Sequence, residues 1–530
     1  MKEMNSWLFC FMAFYLIIPY GLKAQGSKPN ILFCIADDAS FQHFGANGSK
    51  WVNTPNFDRV AREGLLFLNA YTPNAKCAPS RASLLTGRNS WQLEELGNHL
   101  AYWPARYKTV WEQLAANNYH AGFTGKGWAP GVAMKINGKD HQLTGKAFQT
   151  QKLTPPTSGM SVNNYASNFE DFLSAGEKDK PFIFWFGASE PHRVYEYGSG
   201  QKIGNKNTKH INQVYDFWPD NDSVRNDMLD YALEVEYFDQ QLGKMLDILT
   251  KEGLLENTLI LVTSDNGMPF PRIKGQAYEM SSHMPLAMMW KKGIKNPGRK
   301  VNDYISFVDI APTFLEISGT APPKGSNNKM QGLPLTDIFN AAKSGQVNPN
   351  RDHVLLGQER HDVGRPNEVG YPIRSILKNG LMYIHNFEPD RWPAGNPETG
   401  YLNTDGGPTK TAILQANRLN PGNDKSWQLG FGKRGAEELY KVKTDPQCLH
   451  NLAGKPEFAK TLSSLKTQLF TELKAQNDPR MMGKGYVFDI YPPTEGLNFY
   501  NFFLNGERLK TNWVNSADYE TDPRITTPKK

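Results

Sequence analysis

Cysteine is scarce in this 530-residue chain: only Cys10, Cys34, Cys77 and Cys448 are present. So few thiols exclude a disulfide framework as the source of stability. After residue 24 no apolar run approaches the length of a membrane span, which excludes stable membrane insertion. No basic stripe and no recognisable nucleic-acid module occurs, which excludes a nucleic-acid partner. Low-complexity tracts and internal repeats are also missing. What is there is an ordinary globular balance, 39% apolar and 21% charged, with a net charge of +6 that suits an anionic ligand. Aromatic residues reach 12%, and 35 prolines with 46 glycines imply many shaped loops. The length leaves room for two domains.

Residues 1–24 read as a cleaved export signal. Lys2 precedes the apolar run WLFCFMAFYLIIPYGL, and Ala24 closes it ahead of the polar QGSKPN. Its removal takes Cys10, and takes Lys2, Lys23 and Glu3, lowering the net charge by one to about +5. The destination is periplasmic, secreted or a lysosomal lumen, depending on the source.

Apolar strand-like runs alternate with helical patterns through residues 25–365. NILFCIADD, PFIFWFGAS and TLILVTSDNG are continuous apolar runs ending in polar residues, as buried parallel strands do. Between the last two, Leu229, Leu233, Leu242, Met245, Leu246 and Leu249 fall near helical spacing. This alternation predicts an α/β domain with an open sheet sandwiched between helices, its site just past the carboxyl ends of the strands. In residues 366–530, IRSILKNGLMYIHNF reads as a hairpin about Asn379-Gly380, and PEFAKTLSSLKTQLFTELKAQ as a helix. A smaller antiparallel α+β domain is therefore expected, with an aromatic tail packing back on the main one.

Two polar pairs close strands: Asp37-Asp38 and Asp265-Asn266. Their oxygens form a hard ligand set suited to Ca²⁺ or Mg²⁺ rather than zinc. Asp-Asp and Asp-Asn-Gly also serve as turn and cap residues, but two such pairs on buried strands of one domain favour the metal. Cys77 sits in a predicted loop, within KCAPSRASLLTGR. A free cysteine is usually a buried, inert thiol.

The pattern from Cys77 through Pro79-Ser80-Arg81 to Thr86-Gly87 resembles the type I sulfatase family. The resemblance covers about residues 28–480. It implies an alkaline-phosphatase-like fold and oxidation of Cys77 by a maturation enzyme to 3-oxoalanine (formylglycine), whose hydrate is the nucleophile toward sulfur. It further implies one Ca²⁺ held by Asp37, Asp38, Asp265, Asn266 and the modified Cys77. Arg81 matches the arginine that steadies the hydrate, and Lys126 and Lys274 match cations that contact sulfate. His192 matches a histidine that contacts sulfate or protonates the leaving group. The family usually carries histidine where this chain has Trp128, so His120, His192 or His283 is a candidate substitute.

SEPHR, SDNGMPFP and GYPIRSI look most like the branch containing N-sulfoglucosamine sulfohydrolase. The implied substrate is a sulfated oligosaccharide: glucosamine N-sulfate first, 6-O-sulfated N-acetylglucosamine second, taken at a terminus. Substrate contacts are expected from Trp128, Arg193, His283, Glu359, Arg360 and His361, and the lysines at 202, 206 and 209 share one of these loops. Alternatives are a sulfatase for galactose or N-acetylgalactosamine sulfates, a non-catalytic glycan-binding homologue supported by Trp128, and a phosphatase on the same fold. Cys77 and Asp265-Asn266 weigh against the phosphatase, which uses Ser or Thr and commonly two zinc ions.

Overall fold

The computed structural model describes residues 28–323, 329–495, 498–509 and 511–526; the expected leader, residues 1–24, lies outside them. Eight strands form the main sheet: β1 (Asn30–Ala36), β2 (Leu65–Phe67), β3 (His120–Gly125), β4 (Lys146–Ala147), β5 (Phe182–Gly187), β6 (Thr258–Ser264), β7 (Leu286–Met289) and β8 (Arg299–Val301). Their order is β8-β2-β7-β6-β1-β5-β3-β4. β1 lies parallel between β5 and β6, with Ile31 opposite both Ile183 and Leu259. β7 runs antiparallel to β6 and β2, which makes the sheet mixed.

The unbroken apolar run of β1 follows from burial on both faces. Leu32, Cys34 and Ala36 enter one core, while Ile31, Phe33 and Ile35 enter another on the opposite face. Each Leu, Ile or Phe so buried contributes about 1.5–3 kcal/mol. Helix α1 (Cys77–Thr86) covers the second face, sending Leu84 and Leu85 into its core. Helix α2 (Asp222–Lys251) covers the first with Leu229, Leu242, Met245, Leu246 and Leu249. It starts where the Asn221 side chain accepts the Val224 N–H at 3.0 Å, a side-chain N-cap.

A second, antiparallel sheet contains β9 (His353–Gln358), β10 (Ile373–Lys378), β11 (Leu381–Asn386) and β12 (Glu437–Lys441) in that spatial order. The β10–β11 turn places Asn379 at φ 52° and Gly380 at φ 77°, the left-handed pair that a tight hairpin demands. The first strand of this sheet precedes residue 365, because the loop between β9 and β10 doubles back rather than crossing between layers. Helix α3 (Pro408–Leu419) returns to the main domain, with Ile413 and Leu414 in the α2 core. Helix α4 (Ala459–Ala475) backs the small sheet through Leu465, Leu469 and Leu473. In the aromatic tail, Phe499 and Val514 pack with Leu100, Val363 and Leu402. No helix among the described residues is long and apolar enough to cross a membrane.

Candidate active site

Ala36 lies opposite Ser264, so the residues just past β1 and β6 emerge side by side. Asp38 adopts φ 74°, and its N–H donates to Asp265 Oδ1 at 3.1 Å. Asn266 Nδ2 donates to Asp38 Oδ1 at 2.6 Å, leaving Asn266 Oδ1 buried without a partner.

α1 abuts these strand ends. Ser80 Oγ donates to the Asp265 carbonyl at 2.7 Å and accepts from Thr72 at 2.7 Å, pinning the first turn. Cys77 was expected in an exposed loop; it is instead the first residue of α1 and only 1% exposed. The reason is packing: all ten residues of the helix are buried. Its sulfur lies 3.4 Å from Asp37 Oδ1 and 3.9 Å from Asp38 Oδ1.

One turn on, Arg81 ties the walls together. Its Nε donates to Asp265 Oδ2 at 2.8 Å, and its Nη1 donates to the carbonyls of Lys126 at 2.9 Å and Gly127 at 2.8 Å. Lys126 is delivered by the turn at Gly125, whose φ is 78° and whose Cβ, if present, would lie 2.0 Å from the Gly187 carbonyl. Only glycine fits there. Lys126 Nζ then reaches Asp37 Oδ2 at 2.5 Å. Lys274 Nζ donates to Asp38 Oδ2 at 2.7 Å and to Asp405 Oδ2 at 2.8 Å. His192 follows β5, with Nε2 3.8 Å from Asp38 Oδ2 and Nδ1 2.6 Å from the Arg193 carbonyl. A carbonyl only accepts, so Nδ1 carries the proton and Nε2 faces the site.

Charge is concentrated and unbalanced here. Burial alone would raise Asp37, but Lys126 and then Arg81 hold it well below the usual carboxylate range. Burial, and next the charge of Asp37, push Asp265 up to about 7 against the pull of Arg81. The same two causes push the Cys77 thiol well above its ordinary value. Crowded carboxylates, one of them raised, and the unpartnered amide oxygen of Asn266 form a hard-donor cluster. The oxygens of Asp37, Asp38, Asp265 and Asn266 fit calcium.

Other expected contacts lie elsewhere. Trp128 spends its indole N–H on the Ala78 carbonyl at 3.0 Å and packs edge-on against Trp103, so it props α1 instead of lining the pocket. His120 begins β3, at the end of that strand away from Lys126, and stacks on Phe172. His283 is sandwiched between Phe41 and Tyr71 and tied to Glu279 at 2.8 Å. Of the three candidate substitutes, only His192 reaches the site. Arg193 grips Asp227 through two bonds of 2.8 and 2.7 Å, which fixes the His192 loop to α2. Arg360 is buried and donates to the Tyr491 carbonyl, and His361 is buried against Asn74. Glu359 bridges Arg374 at 2.8 Å and Arg480 at 2.5 Å with 1% of its side chain exposed. Lys206 pairs with Glu236 at 2.5 Å. Arg193, Glu359 and Lys206 are ion-paired because a buried ion without a counter-ion is costly, whereas the Arg360 side chain meets only the Tyr491 carbonyl and its Nε and Nη2 make no hydrogen bond. Glu359→Gln should therefore lower stability by about 3 kcal/mol or more while leaving kcat near wild type. Thermal melts with parallel kinetics check this, and a stable but inactive variant would return Glu359 to the substrate.

Sequence reasoning missed Asp405, which no motif marks, and the buried pair Lys76–Asp362 at 2.6 Å. Lys76 directly precedes Cys77, but its partner lies far along the chain.

A sulfatase family model matches residues 29–320. The human N-sulphoglucosamine sulphohydrolase is 27% identical over 88% of this chain and 93% of its own. An ulvan-active sulfatase of Formosa agariphila is 27% identical over 86% of this chain and 82% of its own. A solved protein in complex with its substrate D-glucosamine-2-N,6-O-disulfate superposes with a TM-score of 0.61 at 20% identity, over 85% of this chain and 98% of that one. Matched motif, strand-end carboxylates and family coverage agree: the chain belongs to the sulfatase family, hydrolases of sulfate esters and sulfamates.

Proposed function

We propose that this sulfatase uses Cys77, oxidised to formylglycine by a maturation enzyme, and one calcium ion to release sulfate from terminal glucosamine N-sulfate of heparan-type glycosaminoglycans. The observation that carries the nucleophile is the setting of Cys77. Its thiol faces Asp37 in a buried pocket that suppresses ionisation, the wrong environment for a working thiolate. It nonetheless sits where Arg81, Lys126 and Lys274 converge. That setting supports a precursor over a reactive thiol.

Formylglycine would supply a hydroxyl nucleophile in its hydrated form, and calcium, held by Asp37, Asp38, Asp265 and Asn266, would stabilise negative charge beside it. The rest falls to the chain's own side chains. The ammonium groups of Lys126 and Lys274 draw in the sulfuryl oxygens and offset their charge. Arg81 holds the Lys126 loop and Asp265 in fixed relation, so these groups need no rearrangement. His192 keeps Nε2 toward the site through its Nδ1–carbonyl bond, and in its doubly protonated, imidazolium form the Nε2–H is positioned to give the leaving nitrogen or oxygen a proton. Only the half-buried Lys126 and His192 open outward, with side-chain exposures of 18% and 34%. A closed pocket over these strand ends would suit a terminal sugar.

The glucosamine assignment draws on SEPHR, SDNGMPFP and GYPIRSI, and on the sulphohydrolase relative spanning most of the chain. 6-O-sulfated N-acetylglucosamine is the second choice, supported by an N-acetylglucosamine-6-O-sulfatase of Bacteroides thetaiotaomicron, 24% identical over 86% of this chain. A panel of sulfated mono- and disaccharides, scored for free sulfate, tests it. The expected result is release from glucosamine N-sulfate, weakening as salt rises because the recognition is ionic. Release only from galactose or N-acetylgalactosamine sulfates would remove the glucosamine assignment. The ulvan-active relative, equally similar, supports an O-sulfated glycan as the second reading. Export through the leader at residues 1–24 belongs to the same proposal.

A further inference from the structure

We propose that Asp405 is a positioning residue for desulfation, seating the Lys274 ammonium over the sulfate position; this rests on the function proposed above. Lys274 and Asp405 are both buried, and the 2.8 Å bond between them crosses 131 residues of sequence. Single oxygen or nitrogen atoms of Asp38, His192 and Asp405 all lie within 4.8 Å of one another, and the Lys274 ammonium bonds to both carboxylates. A tethered cation thus takes the place among these donors that a free ion would otherwise fill.

The two carboxylates are not equivalent. Asp38 is already shared, since its Oδ1 accepts from Asn266 and it belongs to the oxygen cluster that fits calcium. Asp405 is the partner that Lys274 does not share with that cluster. Without it, Coulomb attraction draws the ammonium wholly onto Asp38 and away from an incoming sulfate.

The backbone around Asp405 is built to hold it there. Lys410 Nζ donates to the carbonyls of Gly400 and Thr404, both at 2.8 Å, and Gly406 N–H donates to Trp513 at 2.7 Å. Beside it, Gly275 has φ 74°, and a Cβ there would stand 2.9 Å from the Asn403 carbonyl. The backbone of the Lys274 segment therefore abuts that of the Asp405 segment, with His361 Nδ1 3.5 Å from the same Cβ position.

The test uses the full mature enzyme and the best substrate of the panel, with inorganic sulfate as a competitive inhibitor. Asp405→Asn should lower kcat/KM about 10–100-fold, the loss usual when the partner orienting an active-site group is removed. The sulfate Ki should rise. That sign is diagnostic, because loss of a negative charge acting only through the general field would make sulfate bind more tightly. On a Lys274→Ala background the same substitution should add less than about threefold, since the two act as a unit. Asp405→Glu should recover part of the loss, and it keeps the test open if the Asn variant folds poorly. Wild-type kcat/KM in Asp405→Asn, a lowered Ki, or multiplicative losses in the double variant would each overturn the proposal. If the wild type releases sulfate from nothing on the panel, the functional proposal fails instead. Sulfate binding by calorimetry then still reads Asp405: weaker binding in Asp405→Asn supports it and unchanged binding removes it.

Discussion

Cys77→Ala should show no measurable turnover, a fall of about 10⁴-fold or more, as when a nucleophile is deleted from a covalent mechanism. Stability should change little, by about 1 kcal/mol, because one buried sulfur atom is lost from a helix N-terminus where alanine is well tolerated. The small cost is not zero, since Cys77 is enclosed rather than exposed. Cys77→Ser should be equally inactive where maturation accepts only cysteine. Mass analysis of the wild-type peptide supplies the complement: as the aldehyde it should be lighter than the thiol form, with oxygen in place of sulfur and two hydrogens lost, and hydration should restore that mass. A Cys77→Ala protein that retains most of its activity would end the assignment of this residue as the nucleophile.

Metal removal should have the next largest effect. Chelation is expected to abolish sulfate release, and calcium to restore it better than zinc, because every donor is a hard oxygen. A second readout needs no substrate. Calcium should raise the melting temperature of the chelated protein, by the equivalent of about 2.7 kcal/mol at a hundredfold excess over Kd. The physical source is relief of repulsion between Asp37 and Asp265, whose carboxyl is pushed up to about 7 by burial and that neighbour. Asp38→Asn should lose both the activity and the calcium-dependent shift. If zinc reactivated the enzyme best, the single-calcium proposal would be wrong.

Much of this arrangement was legible in the sequence, and the parts that were not share a cause. Continuous apolar runs ending in acids announced β1 and β6, because a strand buried on both faces has no polar positions to interrupt it. The acids at their ends can therefore be placed together from the sequence alone. Asn379-Gly380 announced its hairpin through local backbone preference alone. Substrate-loop candidates fared differently. Glu359, Arg193 and Arg360 were chosen as charges in loops, but whether a charge is free depends on partners at distant positions: Arg374 and Arg480, Asp227, and the Tyr491 carbonyl. Asp405 was missed for the same reason. Its importance lies wholly in what it meets in space, and NTDGG reads as an ordinary turn. Trp128 stands where the family usually carries histidine, and its sequence position alone does not reveal that its indole bonds to the backbone of α1.

The burial of α1 also fixes an order of events. Once the chain has closed, Cys77 is sealed under its own helix, with Arg81 bonded across to the Lys126 loop and Asp265. If Cys77 is converted to formylglycine as proposed, a maturation enzyme would have to reach a side chain that the folded protein leaves 1% exposed. On that proposal the conversion would fall between synthesis and folding, and a molecule that folded first would keep the inert thiol.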